Sequence, residues 1–328
     1  MTATPRSLAD PPDLLSEILA AVRLRGSVFL NGRFSAPFGV ISPARWDGQR
    51  EFAQMRHVSV FHLVAEGGCM LETADGVVRE ASKGDLLLMP FTAAHKFWSG
   101  SRRPDSFVFA PELLVEGPVS GVSLLNYGGG GDETRLVCGF LESAELMAAP
   151  LFRSLPPLLI EQTGDDPVSG MLAGTAAEIL NHVENEAPGT PFLLGRMMEL
   201  LFVEVLRRHA ARLPPDAGGM LAAMRDPIVA RAIHHLHADP ARKWTIEDLA
   251  AEAGASRTVL AERFNKLLGK PPIEYLTGWR IQLAADRLKS TREPLGRIAE
   301  TVGYDSEAAF SRAFKRAMGV SPGAWRAG

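Results

Sequence analysis

The last hundred or so residues contain an internal repeat, and it restricts the fold more than any other feature of the chain. The segment from Thr245 to Gly269 is answered by the segment from Pro294 to Gly319. Leu260 falls on Phe310, Phe264 on Phe314, Gly269 on Gly319, Pro272 on Pro322 and Tyr275 on Trp325, each 50 positions apart. Earlier in the repeat the offset is 49 (Leu249 to Ile298, Ala250 to Ala299, Gly254 to Gly303), so the two turns differ by one residue. Each copy reads as a short helix, a glycine turn and a second helix with basic residues, which is the pattern of a helix-turn-helix. Solenoids are also built from helical pairs, but they need at least three repeats to bury a continuous core. This chain has two, which implies two reading heads on one stretch of DNA.

The turn chemistry agrees. Gly254 can take the positive φ that ends a helix sharply. Ser256 is placed to cap the next helix, as is Asp305 or Ser306 in the second copy. Leu260, Phe264 and Leu267 follow i, i+4, i+7 spacing and predict one buried stripe. The opposite face offers Ser256, Arg257, Thr258, Ala261, Glu262, Asn265 and Lys266 to DNA. In the second copy the equivalents are Ser306, Glu307, Ala308, Ser311, Arg312 and Lys315. Charge is distributed to match. The whole chain has 35 basic and 38 acidic residues, yet from Arg225 onward the count is 17 basic to 12 acidic. An acidic body with a basic C-terminal module suits a sensor joined to a phosphate-seeking domain.

Residues 225–328 resemble the DNA-binding domain of the AraC/XylS family of bacterial transcription regulators. The resemblance rests on Ile246-x-x-Leu-Ala, Ser256-x-x-x-Leu-x-x-x-Phe264, Gly269-x-x-Pro272-x-x-Tyr275-Leu and Arg280-x-x-x-Ala284. It continues through Ile298-Ala-x-x-Val-Gly-Tyr304, Phe310-Ser-Arg-x-Phe314-Lys and Gly319-Val-Ser-Pro-x-x-Trp-Arg326. It implies that the linker helix, here Ile273 to Lys289, holds the two reading helices about one DNA turn, ~34 Å, apart. The chain departs from the family at Glu262, where an arginine is common. A carboxylate there can accept from a cytosine amino group or pair with a neighbouring basic side chain.

Upstream the texture changes. A length of 328 residues allows two or three domains. Two cysteines, no apolar run of membrane length and no signal-peptide pattern predict a reduced cytoplasmic protein without structural disulfides. The first dozen residues, rich in Pro, Ala and Asp, read as a loose end. From Ser27 to Leu141, eight short β-rich runs alternate with turn signals: S27-V-F-L, F38-G-V-I, S59-V-F-H-L-V, C69-M-L-E-T, D85-L-L-L-M, F107-V-F, V122-S-L-L and R135-L-V-C-G-F. Such spacing predicts a sandwich or barrel, with Glu66-Gly-Gly and Asp75-Gly as hairpin turns.

The stretch from Phe61 through Gly84-Asp-Leu-Leu-Leu-Met-Pro-Phe-Thr-Ala-Ala-His95 resembles the cupin barrel found in the sensor half of many AraC-type regulators. The second cupin motif matches. The first, which supplies His-x-His and a glutamate, is not intact, since only His57 and His62 lie nearby. A standard cupin oxygenase metal site is therefore not expected. Cys69 and Cys138 nonetheless fall in barrel strands with His62 and His95, and two cysteines with two histidines are a natural zinc set. His62 and Cys69 flank the Glu66-Gly-Gly turn and would face each other across a hairpin. The other reading of the barrel is an apolar effector pocket with no metal.

Two helices connect the halves, from Val168 to Glu186 and from Pro191 to Leu213. The second is apolar over a broad face (Leu193, Leu194, Met197, Met198, Leu201, Phe202, Val205), wide enough either for a homodimer contact or for capping the barrel. His234, His235 and His237 on the next helix read as surface and core edge rather than as a metal cluster.

The sequence therefore predicts a multidomain α and β protein. Residues 1–150 form a cupin-like sensor β-barrel, 151–215 a helical connector or dimerisation segment, and 225–328 an all-α domain with two helix-turn-helix units. The expected function is effector-controlled, sequence-specific transcription regulation without catalysis, in contact with operator DNA and RNA polymerase. The alternative is a DNA-binding protein whose barrel retains metal-dependent enzyme activity.

Overall fold

The computed structural model describes residues 13–21, 24–43, 57–91, 93–143, 151–163 and 170–327. The expected loose end at the N-terminus and the first two residues of the first expected connector helix, Val168 and Ser169, lie outside them. Helix α1 (Leu14–Ala21) comes first. It is followed by β1 (Arg25–Ser35), β2 (Gly39–Ser42), β3 (His57–Glu66), β4 (Gly68–Glu72), β5 (Val78–Ser82) and β6 (Asp85–Met89). Then come β7 (His95–Trp98), β8 (Val108–Phe109), β9 (Leu114–Glu116), β10 (Ser123–Gly128), β11 (Glu133–Ser143) and β12 (Leu159–Gln162). The remaining helices are α2 (Gly170–His182), α3 (Thr190–Arg212), α4 (Met220–Arg225), α5 (Pro227–Ala238), α6 (Ile246–Glu252) and α7 (Arg257–Leu268). The chain closes with α8 (Pro272–Ser290), α9 (Leu295–Thr301), α10 (Glu307–Met318) and α11 (Pro322–Ala327). Among the described residues two compact units result, one drawn from those between 24 and 143 and between 155 and 212, the other from 13–21, 151–154 and 213–327.

The β unit is two sheets face to face. One runs β12-β6-β3-β11-β1-β10-β9 and the other β5-β4-β7-β2-β8. All eight strands read from the sequence are present, and β5, β7, β9 and β12 join them. The core between the sheets takes Val64, Leu87, Leu136, Cys138 and Phe140 from the first and Val40, Cys69, Leu71, Ala81 and Phe97 from the second. Strand β3 is buried on both faces: Val60 and Val64 are as inaccessible as Phe61 and Leu63. Its second face is covered by α3, where the rings of Phe61 and Phe202 meet edge to face at 6.2 Å. Cover on both sides explains why β3 lacks the alternation of a half-exposed strand. Helix α3 lies close along β1 because Gly195 meets Gly26 with no side chain between them. Most of its apolar face is spent here, with Leu194, Met198, Leu201, Phe202 and Val205 buried, while Phe192, Leu193 and Leu200 stay exposed.

Asp75-Gly76 is a hairpin, with Gly76 at φ +82° joining antiparallel β4 and β5. Glu66-Gly-Gly is not. Strands β3 and β4 belong to different sheets, so Gly67 at φ +65° turns a corner between sheets. His62 and Cys69 therefore do not face each other across a hairpin, and the partner opposite His62 is Cys138 on β11.

Candidate nucleic-acid interface

In the helical unit α8 serves two small cores. Tyr275, Leu276 and Trp279 are buried towards the first helix-turn-helix, and Ile281, Ala284, Ala285 and Leu288 towards the second. The second core adds Ile298, Ala299, Val302, Phe310 and Phe314. Arg280 fixes α8 to the loop after α5, donating to the carbonyls of Pro240 at 2.6 Å and Arg242 at 2.9 Å. Trp325 donates to Ala285 O at 3.2 Å and Arg326 to Glu293 O at 2.6 Å, closing the far end.

Each turn is built alike. Gly254 (φ +69°) and Gly303 (φ +86°) end α6 and α9 in the left-handed region. The next residue then bonds back across the helix end, Ala255 N to Ala250 O and Tyr304 N to Ala299 O, both at 2.9 Å. This double closure satisfies carbonyls that a helix end leaves orphaned. Ser256 and Ser306 cap the second helices, accepting from Val259 N at 3.3 Å and Ala309 N at 3.2 Å. Ser306, not Asp305, is thus the cap. One residue separates Gly254 from its cap and two separate Gly303 from its cap, which is where the offset changes from 49 to 50.

Leu260, Phe264, Phe310 and Phe314 are wholly buried, while Leu267 is only half-buried, so the stripe on α7 is shorter than its spacing suggests. On the other side, Ser256, Arg257, Thr258, Glu262, Asn265 and Lys266 are exposed and Ala261 half-exposed. On α10, Ser306, Glu307, Ala308, Arg312 and Lys315 are exposed and Ser311 half-exposed. The two faces differ in charge pairing. Arg257 reaches Glu247 on α6 at 2.5 Å, and this hydrogen bond holds the Glu247 carboxyl below the usual carboxylate range. Arg263 pairs with Asp226 at 2.9 Å. Among the described residues no acidic side chain pairs with Lys266, Arg312, Lys315 or Arg316.

The three histidines of α5 go to three different partners. His234 Nδ1 meets Glu17 on α1 at 2.7 Å, His235 lies 6.1 Å from the Trp244 ring, and His237 stacks on Trp279 at 3.8 Å. His237 is core, and burial pushes its pKa down to about 3. Helix α1, absent from the sequence reading, packs on α4 and α5 through buried Leu14 and Ile18. Their i, i+4 spacing was the available signal.

Inside the barrel, His62 and Cys138 sit opposite each other on β3 and β11, Nδ1 to Sγ at 2.9 Å. The rings of His62 and His95 are 4.8 Å apart, both edge-on to Phe97. Burial pushes His95 down to about 4 and His62 well below its ordinary value, so both are neutral near pH 7. Burial raises the Cys69 thiol to about 12 and raises Cys138 as well. The four residues named as zinc ligands thus share one core, but among the described residues no three His, Cys, Asp or Glu side chains are arranged around a common metal position. The side chain of His57 lies outside the described residues.

A cupin family model matches residues 13–211 and a helix-turn-helix domain model matches residues 249–328. Over 325 residues the chain is 33% identical to a putative AraC-like transcription regulator of Streptomyces lividans, covering 96% of each protein. The chain belongs to the AraC-like transcription regulators. A second putative AraC-like regulator, from Streptomyces antibioticus, is 33% identical over 273 residues, covering 81% of this chain and 86% of its own. Among solved structures, the DNA-binding domain of AdpA in complex with a target DNA is 30% identical over 31% of this regulator and 91% of that chain, with a TM-score of 0.30. By the two family models and its regulator relatives, this chain is a DNA-binding transcription factor with a β-rich cupin domain ahead of two helix-turn-helix units. No helix among the described residues is long and apolar enough to cross a membrane.

Proposed function

We propose that this regulator reads its operator with α7 and α10 in successive major grooves. Ser256, Arg257, Thr258, Ala261, Glu262, Asn265 and Lys266 would line the first groove, and Ser306, Glu307, Ala308, Ser311, Arg312 and Lys315 the second. The supporting observation is that two polar helix faces, each backed by a buried Leu/Phe or Phe/Phe pair, are carried on the single rod of α8. Bound in this way, the heads should lie about one helical turn, ~34 Å, apart on one DNA face.

The remaining roles complete the reading. The barrel takes a small effector that changes DNA occupancy or contact with RNA polymerase, and it performs no catalysis. The protein acts in the cytoplasm as a homodimer, in keeping with the exposed Phe192, Leu193 and Leu200 on α3. Footprinting of the full chain on DNA beside its own gene tests the central point. Two protected major-groove tracts one turn apart are expected, and a single tract, or protection that ignores sequence, contradicts the two-head reading.

A further inference from the structure

The histidine pair in the barrel is used by nothing described so far. His95 Nδ1 lies 2.8 Å from Ala93 O. A carbonyl can only accept, so Nδ1 carries the proton and Nε2 carries a bare lone pair. His62 Nδ1 lies 2.9 Å from Cys138 Sγ, which can donate or accept; in the tautomer where Nδ1 donates to the sulfur, Nε2 of this ring is bare as well. Among the described residues the Nε2 atoms of both rings are buried with no hydrogen-bond partner. Buried polar atoms are nearly always satisfied, and each exception calls for an explanation such as an ion. Two of them occur here on touching rings.

We propose that His62 Nε2 and His95 Nε2 together bind one d10 metal ion, zinc(II) or copper(I), inside the barrel. Imidazole nitrogen suits both ions. The outer bond of His95, to Ala93 O, matches the usual second contact that orients a ligating histidine, and Cys138 Sγ holds the His62 ring from its outer side. Metal–nitrogen bonds of about 2.0 Å place each ring centroid roughly 3 Å from the ion, so the observed 4.8 Å separation fits a bent arrangement with further coordination positions. This replaces the four-residue zinc set with an imidazole pair in which Cys138 positions a ligand. Because His62 is on β3 and His95 on β7, the ion ties one sheet to the other. The site is independent of the DNA reading.

The test uses the full chain, titrated separately with zinc(II) and with copper(I) under reducing conditions, and read by elemental content after desalting and by thermal midpoint. One ion per chain with a raised midpoint is expected. The ion should be lost from His62→Gln and His95→Gln, whose circular dichroism reports folding. The ion retained at the lower free concentration identifies the metal. Cys138→Ser should weaken binding about tenfold through the misoriented ring, and Cys69→Ser should leave it unchanged. Histidine nitrogen NMR of the wild type provides a check that needs no variant, since both Nε2 signals should shift on loading while Nδ1 of His95 keeps its proton. No binding by folded wild type, retention in both histidine variants, or unshifted Nε2 signals would overturn the site. Loss in Cys69→Ser would overturn the imidazole-pair assignment.

Discussion

The two helix-turn-helix units share a backbone plan and differ in how their cations are held. In the first, Arg257 is engaged by Glu247 and Arg263 by Asp226, and Glu262 adds a negative charge to the exposed face. In the second, Arg312, Lys315 and Arg316 have no acidic partner among the described residues. A free cation can release counterions from DNA at once, whereas a paired one must first give up its carboxylate. On the proposed reading, the second unit, with three unpaired cations, is the stronger electrostatic anchor of the two.

The comparison breaks most visibly at the cores. Phe264→Ala and Phe314→Ala each remove a wholly buried ring and should cost about 3–5 kcal/mol. Because the cores lie on different faces of α8, amide exchange should accelerate mainly in the unit that was truncated. Acceleration spread equally over both would show that the units are one cooperative core.

Acid should separate the units next. His237 lies in the first core with its pKa lowered from 6.5 to about 3. The unfolded chain binds this proton before the folded one does, so stability is constant above about pH 6.5 and falls as pH drops from there towards 3. Exchange in α7 should therefore quicken over that window more than in α10, and His237→Phe should remove the difference. An equal acid response in both units would contradict it.

Smaller effects sharpen the electrostatic contrast. Arg312→Ala should weaken operator binding by about 1–3 kcal/mol, and Arg257→Ala by less. Glu247→Gln frees Arg257 from an exposed, solvent-screened ion pair, so affinity for DNA should rise slightly, as measured by fluorescence titration. A fall in affinity would mean that Glu247 orients Arg257 rather than restrains it.

The first unit's turn and cap, and the faces of both units, were legible because local chemistry fixes them. Gly254 with Ser256, and the 49-to-50 change of offset, needed no long-range information. The second unit needed the structure to choose Ser306 over Asp305. The barrel was legible as strands but not as sheets. Glu66-Gly-Gly has the same signature whether it closes a hairpin or turns a corner, and the choice is made by β3 pairing with β11 and β6, both remote in sequence. The same long-range pairing brought His62 to Cys138 and not to Cys69. Strand β5 has a single buried residue among its five, and β9 at the sheet edge has none, with Val115 and Glu116 exposed, so neither carries an apolar periodic signal.

The most direct test of the central claim is the salt dependence of operator binding for wild type, Arg312→Ala and Arg257→Ala. Each phosphate contact contributes about 0.9 to the slope of log K against log salt. The account predicts that Arg312→Ala lowers the slope by about 1 and Arg257→Ala by clearly less. Equal losses, or a larger loss for Arg257→Ala, would contradict it.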